Sequence, residues 1–338
     1  MNYPKVAVVI LNWNGEKHLA NFLPSVFNST YPNMEIIIGD NASTDNSINF
    51  LKNNFPLVKV IINHQNYGFA EGYNQVLKQV EADYFVLLNS DVEVTPNWIE
   101  PVIAMMEADV KIAIAQPKIR SYYNRDSFEY AGAAGGFIDT FAYPFCRGRI
   151  FDTIEKDNGQ YDDEKEIFWA SGCALFIKSS IWKEIGGLDE HFFAHMEEID
   201  LCWRAKNRGY KVMYCGFSTV YHVGGGTLQA ESPYKTYLNF RNNLYLIKKN
   251  EPLSRSIFLI PFRFCLDFLA LIKFLMDKKT DNAWAISKAH RHFISALFEG
   301  KIKNSYISPQ QNLKGKYHNS IVFDYFVRGK KLFKEIWK

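Results

Sequence analysis

Three mainly apolar runs, residues 6–11, 35–39 and 84–88, punctuate the start of the chain. Each is short and nearly continuous, which predicts strands covered on both faces. Between the first two the spacing turns helical: Leu19, Phe22, Leu23, Val26 and Phe27 share one face, with Pro24 expected to bend or divide that helix. Ser43, Thr44, Asp45, Asn46 and Ser47 offer caps for a second helix carrying Ile48 and Leu51. A further strand is expected at 58–62 and a further helix at 71–80. Strands alternating with helices predict an α/β fold on a mostly parallel sheet flanked by helices. Such sheets bind ligands at the carboxyl ends of their strands. That rule gathers Asn12, Asp40 and Asp91 at one rim, since each follows an apolar run.

The pattern weakens from about 113 to 168, where Tyr, Gly and Asp abound, and a mobile stretch of loops with short strands is expected. Order returns at 168–190 with a strand, a helix and a Gly-Gly turn. Residues 196–215 then read as a helix stopped by Gly209 and a following strand. Residues 1–250 are taken as one catalytic domain, with a ligand-binding half to about 112 and an acceptor half from about 113. Residues 251–338 form a helical C-terminal region. Its stretch 256–276 has nearly the length of a membrane span, but Pro261, Arg263, Asp267 and Lys273 interrupt it. A helix lying in a membrane surface is the preferred reading, with Lys278, Lys279, Lys288, Arg291, Lys301 and Lys303 following; a buried helix of the soluble domain is the alternative.

Composition narrows the class. A hydrophobic fraction of 47% supports a sizeable core, and a net charge of +3 is too mild to point to nucleic acid. Five cysteines without CxxC spacing read as reduced thiols of a cytoplasmic protein, and the chain enters a strand at once without a signal peptide.

The candidate chemistry is acidic. Asp91, after Asn89 and Ser90, suits a divalent cation, although a carboxylate at a strand end is more often a helix cap or a solvated turn. Asp40 with Asn41 and Ser43 suits a nucleobase or ribose, or a capped turn. Glu197 and Glu198 open a helix, where the dipole favours acids, and Asp200 with Arg204 makes an i,i+4 pair. A glutamate near the aromatic residues before it would have a raised pKa, suiting a general base. His222 ends a strand before Gly224, Gly225 and Gly226, a flexible loop or a close backbone approach.

In this order the motifs resemble glycosyltransferase family 2 enzymes of the GT-A, Rossmann-like fold, most of all a rhamnosyltransferase-like branch that builds bacterial surface polysaccharides. The matching stretches are VAVVILNWNG, IIIGDNASTDNS, NYGFAEGYN, YFVLLNSDVEV, GGLDEHFFAHMEEIDLCWRAKNRGY and VYHVGGGT, over roughly 5–250. The resemblance implies an inverting, metal-dependent transferase using Mg2+ or Mn2+ and a nucleotide-diphospho-sugar such as dTDP-rhamnose. It implies a glycan or lipid-linked acceptor, and a cytoplasmic site at the inner face of the membrane. Asn12, Asp40, Asn41, Ser43, Asn66, Gly68, Asn74, Asn89, Ser90 and Asp91 become expected donor contacts. Asp91 and His222 become expected metal ligands, although Asn89 replaces the first acid of the family's DxD-type motif. Glu198 is the expected base, with Glu197 its rival because Glu198 stands where the family has Asp. Trp169, Arg241 and Asn242 are expected near the acceptor. A sugar nucleotidyltransferase and a non-catalytic sugar-nucleotide binder are the alternatives.

Overall fold

The computed structural model describes residues 3–130, 132–224, 232–307 and 312–337. Its first half alternates as the apolar runs require: β1 (Val6–Asn12), α1 (Glu16–Phe27), β2 (Met34–Asp40), α2 (Ser47–Asn54), β3 (Lys59–Ile62), α3 (Gly68–Leu77) and β4 (Tyr84–Asn89). β4, β1, β2 and β3 lie side by side and parallel. Successive side chains of β1 point to opposite faces. Ala7 and Val9 join a core with Tyr73 and Val76 of α3, whereas Val6, Val8 and Ile10 join one with Leu19, Leu23 and Val26 of α1. Both faces are covered, so the strand is apolar throughout. Gly39 lets α3 approach β2: a Cβ there would meet Val76 Cγ2 at 2.5 Å.

After β5 (Val92–Val94), α4 (Glu100–Ala108) and β6 (Ile112–Ser121), a small antiparallel sheet forms from β7 (Gly136–Ile138), β8 (Pro144–Cys146), β9 (Arg149–Ile150) and β10 (Thr153–Ile154). Then come β11 (Glu164–Ile167), β12 (Ala174–Lys178), α5 (Ser179–Ile185), α6 (Glu197–Asn207) and β13 (Lys211–His222). β12 runs antiparallel between β4 and β6, while β6 and β13 are parallel. The central sheet is therefore mixed but mostly parallel, and helices flank it.

Three local expectations need correction. β6 is a long buried strand where the pattern seemed to dissolve. Gln116, Pro117 and Lys118 disguise it, yet Gln116 donates to Gly132 O at 3.2 Å and Lys118 pairs with Asp157 at 3.0 Å. Helix α1 is assigned unbroken through Pro24. The cap of α2 falls at Asn46 without a side-chain bond, and Asp45 Oδ1 instead accepts from Ser47 N at 3.0 Å.

The C-terminal region is helical, with α7 (Pro233–Asn250), α8 (Leu253–Met276), α9 (Thr280–Phe298), α10 (Ile321–Phe326) and α11 (Phe333–Ile336). Its last part returns to the small sheet. Tyr317 N donates to Ile138 O at 2.7 Å, Ile321 N donates to Asp139 Oδ2 at 3.0 Å, and Phe333 packs on Phe137 with centroids 4.9 Å apart. Residues beyond 250 thus complete the same core as residues before it. The segment 113–168 is correspondingly tied down, with Phe128, Phe137 and Ile150 fully buried.

Candidate active site

The parallel register assembles the rim. Asn12 pairs with Asp40 across β1 and β2, and Leu11 pairs with Asn89 across β1 and β4. Asn12 is fully buried and its Nδ2 donates to Asp40 Oδ2 at 3.0 Å and Ser43 Oγ at 3.1 Å. Asp40 Oδ1 accepts from Ser43 N at 2.9 Å. Asn41 Nδ2 donates to Asn66 Oδ1 at 2.9 Å and Gly68 O at 3.0 Å, which holds the start of α3 against the end of β2. Asn12, Asp40, Asn41, Ser43, Asn66 and Gly68 therefore form one connected polar cluster. Asn74 stands apart from it: its amide donates to Leu188 O at 2.8 Å and accepts from Leu188 N at 3.0 Å. That exchange fixes α3 to the Gly-Gly turn and leaves little of Asn74 for a ligand.

Asn89 closes β4, Ser90 and Asp91 form the turn into β5, and β5 pairs with the end of β13, which carries His222. This pairing brings His222 Nε2 to 3.2 Å from Asp91 Oδ1 and 3.5 Å from Asn89 Nδ2. The other ring nitrogen lies 3.4 Å from Glu129 Oε2, and both carboxylates are buried. Burial opposes charge on His222, yet Cys173, Asp91 and Glu129 together hold its pKa well above the ordinary imidazole value. Burial likewise opposes charge on Asp91, but the His222 contact lowers its pKa overall. Gly224 itself lies close against Glu129, since a Cβ there would stand 2.7 Å from Glu129 Oε1. Gly225 and Gly226 lie outside the described residues.

Asp91 offers one carboxylate oxygen, and His222 offers one imidazole nitrogen once a cation displaces the proton that its raised pKa retains. Among the described residues no three His, Cys, Asp or Glu side chains gather as a full cation cage. Two protein donors, with phosphate oxygens and water filling the other positions, is how Mg2+ is commonly held beside a substrate diphosphate. The donor set fits such an ion.

The acids of α6 lie beyond the start of β12. A side chain at Gly172 would meet Phe69 at 3.3 Å and Glu198 Cβ at 3.8 Å, while the neighbouring Cys173 thiol lies against His222. Glu197 is 4% exposed, and Oε2 of each glutamate is buried without a hydrogen-bond partner. Burial raises the pKa of Glu198 to about 7, against the lowering effect of backbone N–H groups at the helix start. Burial and then the charge of Glu198 push Glu197 well above the ordinary value. The two acids are unsatisfied acceptors with weakened acidity, as a proton-accepting site requires.

Their position is held from behind. Asp200 Oδ2 accepts from Arg204 Nε at 2.7 Å and Lys249 Nζ at 2.9 Å, and Asp200 Oδ1 accepts from Asn250 Nδ2 at 2.8 Å. Arg204 also donates to Ile185 O at 2.6 Å and Gly187 O at 2.7 Å. Immediately before α6, Phe193, His195 and Met196 adopt positive φ of 65°, 67° and 71°. Such backbone is costly for residues with a Cβ and needs support from its surroundings. Asn242 Nδ2 supplies it by donating to Phe192 O, Ala194 O and His195 O at 3.0, 2.9 and 2.7 Å, and Arg241 donates to His191 O and Phe192 O, both at 3.0 Å. Asn242 and Arg241, expected at the acceptor, brace this loop in the structure. Trp169 is similarly engaged: it is buried and its Nε1 donates to Phe137 O at 2.8 Å.

Sequence reasoning missed Glu129, which lies in the stretch read as loops, and the partly buried His195. Burial and then Lys235 lower the pKa of His195 to about 4, and its Nε2 is another buried atom without a partner. No spacing motif marks either residue; the HFFAHM approach to α6 was the nearest signal.

A family model described as glycosyl transferase family 2 matches residues 7–184. The chain is 24% identical over 232 residues to N-acetylglucosaminyl-diphospho-decaprenol L-rhamnosyltransferase of Mycobacterium tuberculosis, covering 64% of this chain and 75% of that one. Among solved structures it resembles S. aureus TarS in complex with UDP-GlcNAc, with a TM-score of 0.56 and 16% identity over 86% of this chain and 81% of that one. It also resembles the mannosyltransferase PcManGT from Pyrobaculum calidifontis in complex with GDP-Man and Mn2+, with a TM-score of 0.54 and 13% identity over 88% and 76%. These likenesses establish the GT-A fold, and with the family match covering more than half the chain, this protein belongs to glycosyl transferase family 2.

Proposed function

We propose that the chain transfers a sugar, with inversion, from a nucleotide-diphospho-sugar to a hydroxyl of a glycan or lipid-linked acceptor in cell-surface polysaccharide synthesis. The observation that carries this reading is the Glu197–Glu198 pair, each with a buried and unpartnered Oε2 and Glu198 at a pKa of about 7, set beside the rim that carries Asp91 and His222. The cluster of Asp40, Asn41 and Ser43 receives the base and ribose of the donor. Asp91 and His222 would hold Mg2+ or Mn2+, which when bound would supply charge neutralisation of the leaving diphosphate. The acceptor oxygen forms its bond to the anomeric carbon on the face opposite the departing phosphate oxygen. Glu198 takes the hydroxyl proton as that bond forms, and the nucleoside diphosphate leaves with the bonding electrons. The similarity to a rhamnosyltransferase favours dTDP-rhamnose as donor and a diphosphate-linked lipid as acceptor.

The test is incubation of the protein and Mn2+ with dTDP-, UDP- and GDP-sugars, reading thermal stabilisation and release of nucleoside diphosphate. Stabilisation by one nucleotide class, with release when a polyprenyl-diphosphate sugar is added, is expected. Absence of both responses across the panel would overturn the reading, and stabilisation without any turnover would favour a non-catalytic binder.

A further inference from the structure

Helix α8 is turned inside out relative to an ordinary surface helix, which directs its apolar stripe to the core. Its charged residues Arg263 and Asp267 are turned inward, 3% and 1% exposed. Arg263 donates to Phe141 O at 3.3 Å and stacks 3.7 Å from the Tyr143 ring centroid. Asp267 meets Arg263 at 3.4 Å and His290 of α9 at 3.0 Å. The opposite side carries Phe258, Phe262, Cys265, Leu269, Ile272 and Met276 at alternating steps of four and three, and every one is exposed. The stripe runs the length of the helix, with Phe258 and Met276 each 78% exposed. Of the charges that interrupt this segment in the sequence, Arg263 and Asp267 are therefore withdrawn from its outer face, and Lys273 flanks the stripe. A continuous apolar face of this kind on a protein surface marks an interaction site.

We infer that this stripe seats the protein on an anionic lipid surface, with α8 lying in the plane of the membrane. Charge selects this occupant. The one carboxylate within α8 is buried, whereas Lys273 beside the stripe is exposed, as are Lys278 in the following turn and Lys288 and Arg291 of α9. Exposed Asp277 and Asp281 only partly offset them. A second copy seated on this stripe would bring the flanking Lys273 and Lys278 of both copies together, whereas anionic headgroups pair with them. Trp284 of α9, 67% exposed, is the residue type that headgroup regions favour. Among the described residues no helix is long and apolar enough to cross a membrane, so lying in the plane is the geometry left to α8. The inference deepens the lipid-linked acceptor reading above, but vesicle binding needs neither donor nor acceptor and is judged apart from sugar transfer.

The experiment is flotation of the full chain with vesicles of phosphatidylcholine alone and of phosphatidylcholine doped with phosphatidylglycerol. Wild type is expected to float with the doped vesicles and to lose binding as salt rises. The variant F258S/L269S/M276S, altered only at exposed positions, is expected to bind at least about tenfold more weakly with an unchanged Tm. Replacing Lys273 and Lys278 by Glu is expected to weaken binding to doped vesicles roughly fivefold or more per charge. Equal flotation of wild type and the triple serine variant would overturn the inference. So would absence of wild-type flotation together with a dimer, seen by sedimentation, that the triple variant breaks. Should the serine variant not fold, the double Glu variant and the salt series decide the question alone.

Discussion

His222 Nε2 lies 3.2 Å from Asp91 Oδ1, although the two residues are far apart in the chain. The contact exists because β5, immediately after Asp91, pairs antiparallel with the last residues of β13. It places one nitrogen and one oxygen donor at the mouth of the sheet. Asp91→Asn keeps the side-chain shape but removes the charge. It is expected to weaken Mn2+-dependent binding of the nucleoside diphosphate by about tenfold or more. Calorimetric titration with and without Mn2+ checks this, and an unchanged affinity would count against the metal assignment.

Glu129 Oε2 stands behind His222, 3.4 Å from Nδ1 on the side of the ring away from Asp91. Outer carboxylates of this kind set the ring position and basicity of a metal-binding histidine. Glu129→Gln is expected to lower Mn2+ affinity by about 10–100-fold. Mn2+ titration followed by electron paramagnetic resonance reads this directly, and an affinity equal to wild type would show that Glu129 is packing alone.

Glu198→Gln preserves size and removes the proton acceptor. Transfer is expected to fall by about 10²–10⁴-fold while donor binding changes little. Glu197→Gln is expected to cost much less. Reversal of that order in steady-state rates would make Glu197 the base.

The pH dependence follows from the same residue. Glu198 accepts a proton only when ionised, and burial places its pKa at about 7. The rate of transfer is expected to rise with pH up to about 7 and then level. Stability has the opposite sense. The folded pKa lies above the ordinary value of 4.5, so this contribution is full below that value and is lost as pH rises through about 7. Glu198→Gln is therefore expected to raise Tm at about pH 8 by roughly 2 °C or more and to leave it unchanged near pH 4. Equal Tm values for variant and wild type at both pH values would remove the buried-charge account.

Asp200 joins α6 to α7 through Arg204, Lys249 and Asn250. Breaking such a buried pair leaves uncompensated cations, at a cost of about 3–5 kcal/mol. Asp200→Ala is expected to destabilise by about that much in urea unfolding and to reduce kcat through displacement of Glu198. A loss below about 1 kcal/mol would mean that the network is dispensable.

The alternation of apolar runs with helical spacing sufficed to read the parallel half of this protein. Strands buried on both faces are apolar along their whole length, and that leaves a local signature. Asn12, Asp40 and Asp91 were legible for the same reason, because such strands end at a common rim. The acids of α6 could be seen as a pair, but nothing local distinguishes a solvated first turn from a buried one. Their raised pKa values come first from burial, which long-range packing creates and no local pattern announces. β6 was hidden because its polar residues find partners elsewhere in the fold, and Glu129 met His222 only through that strand's pairing with β13. On α8 the sequence showed both charges and apolar residues, and tertiary packing decided which side faced outward: Arg263 and Asp267 found partners within the protein, leaving the apolar stripe to the surface.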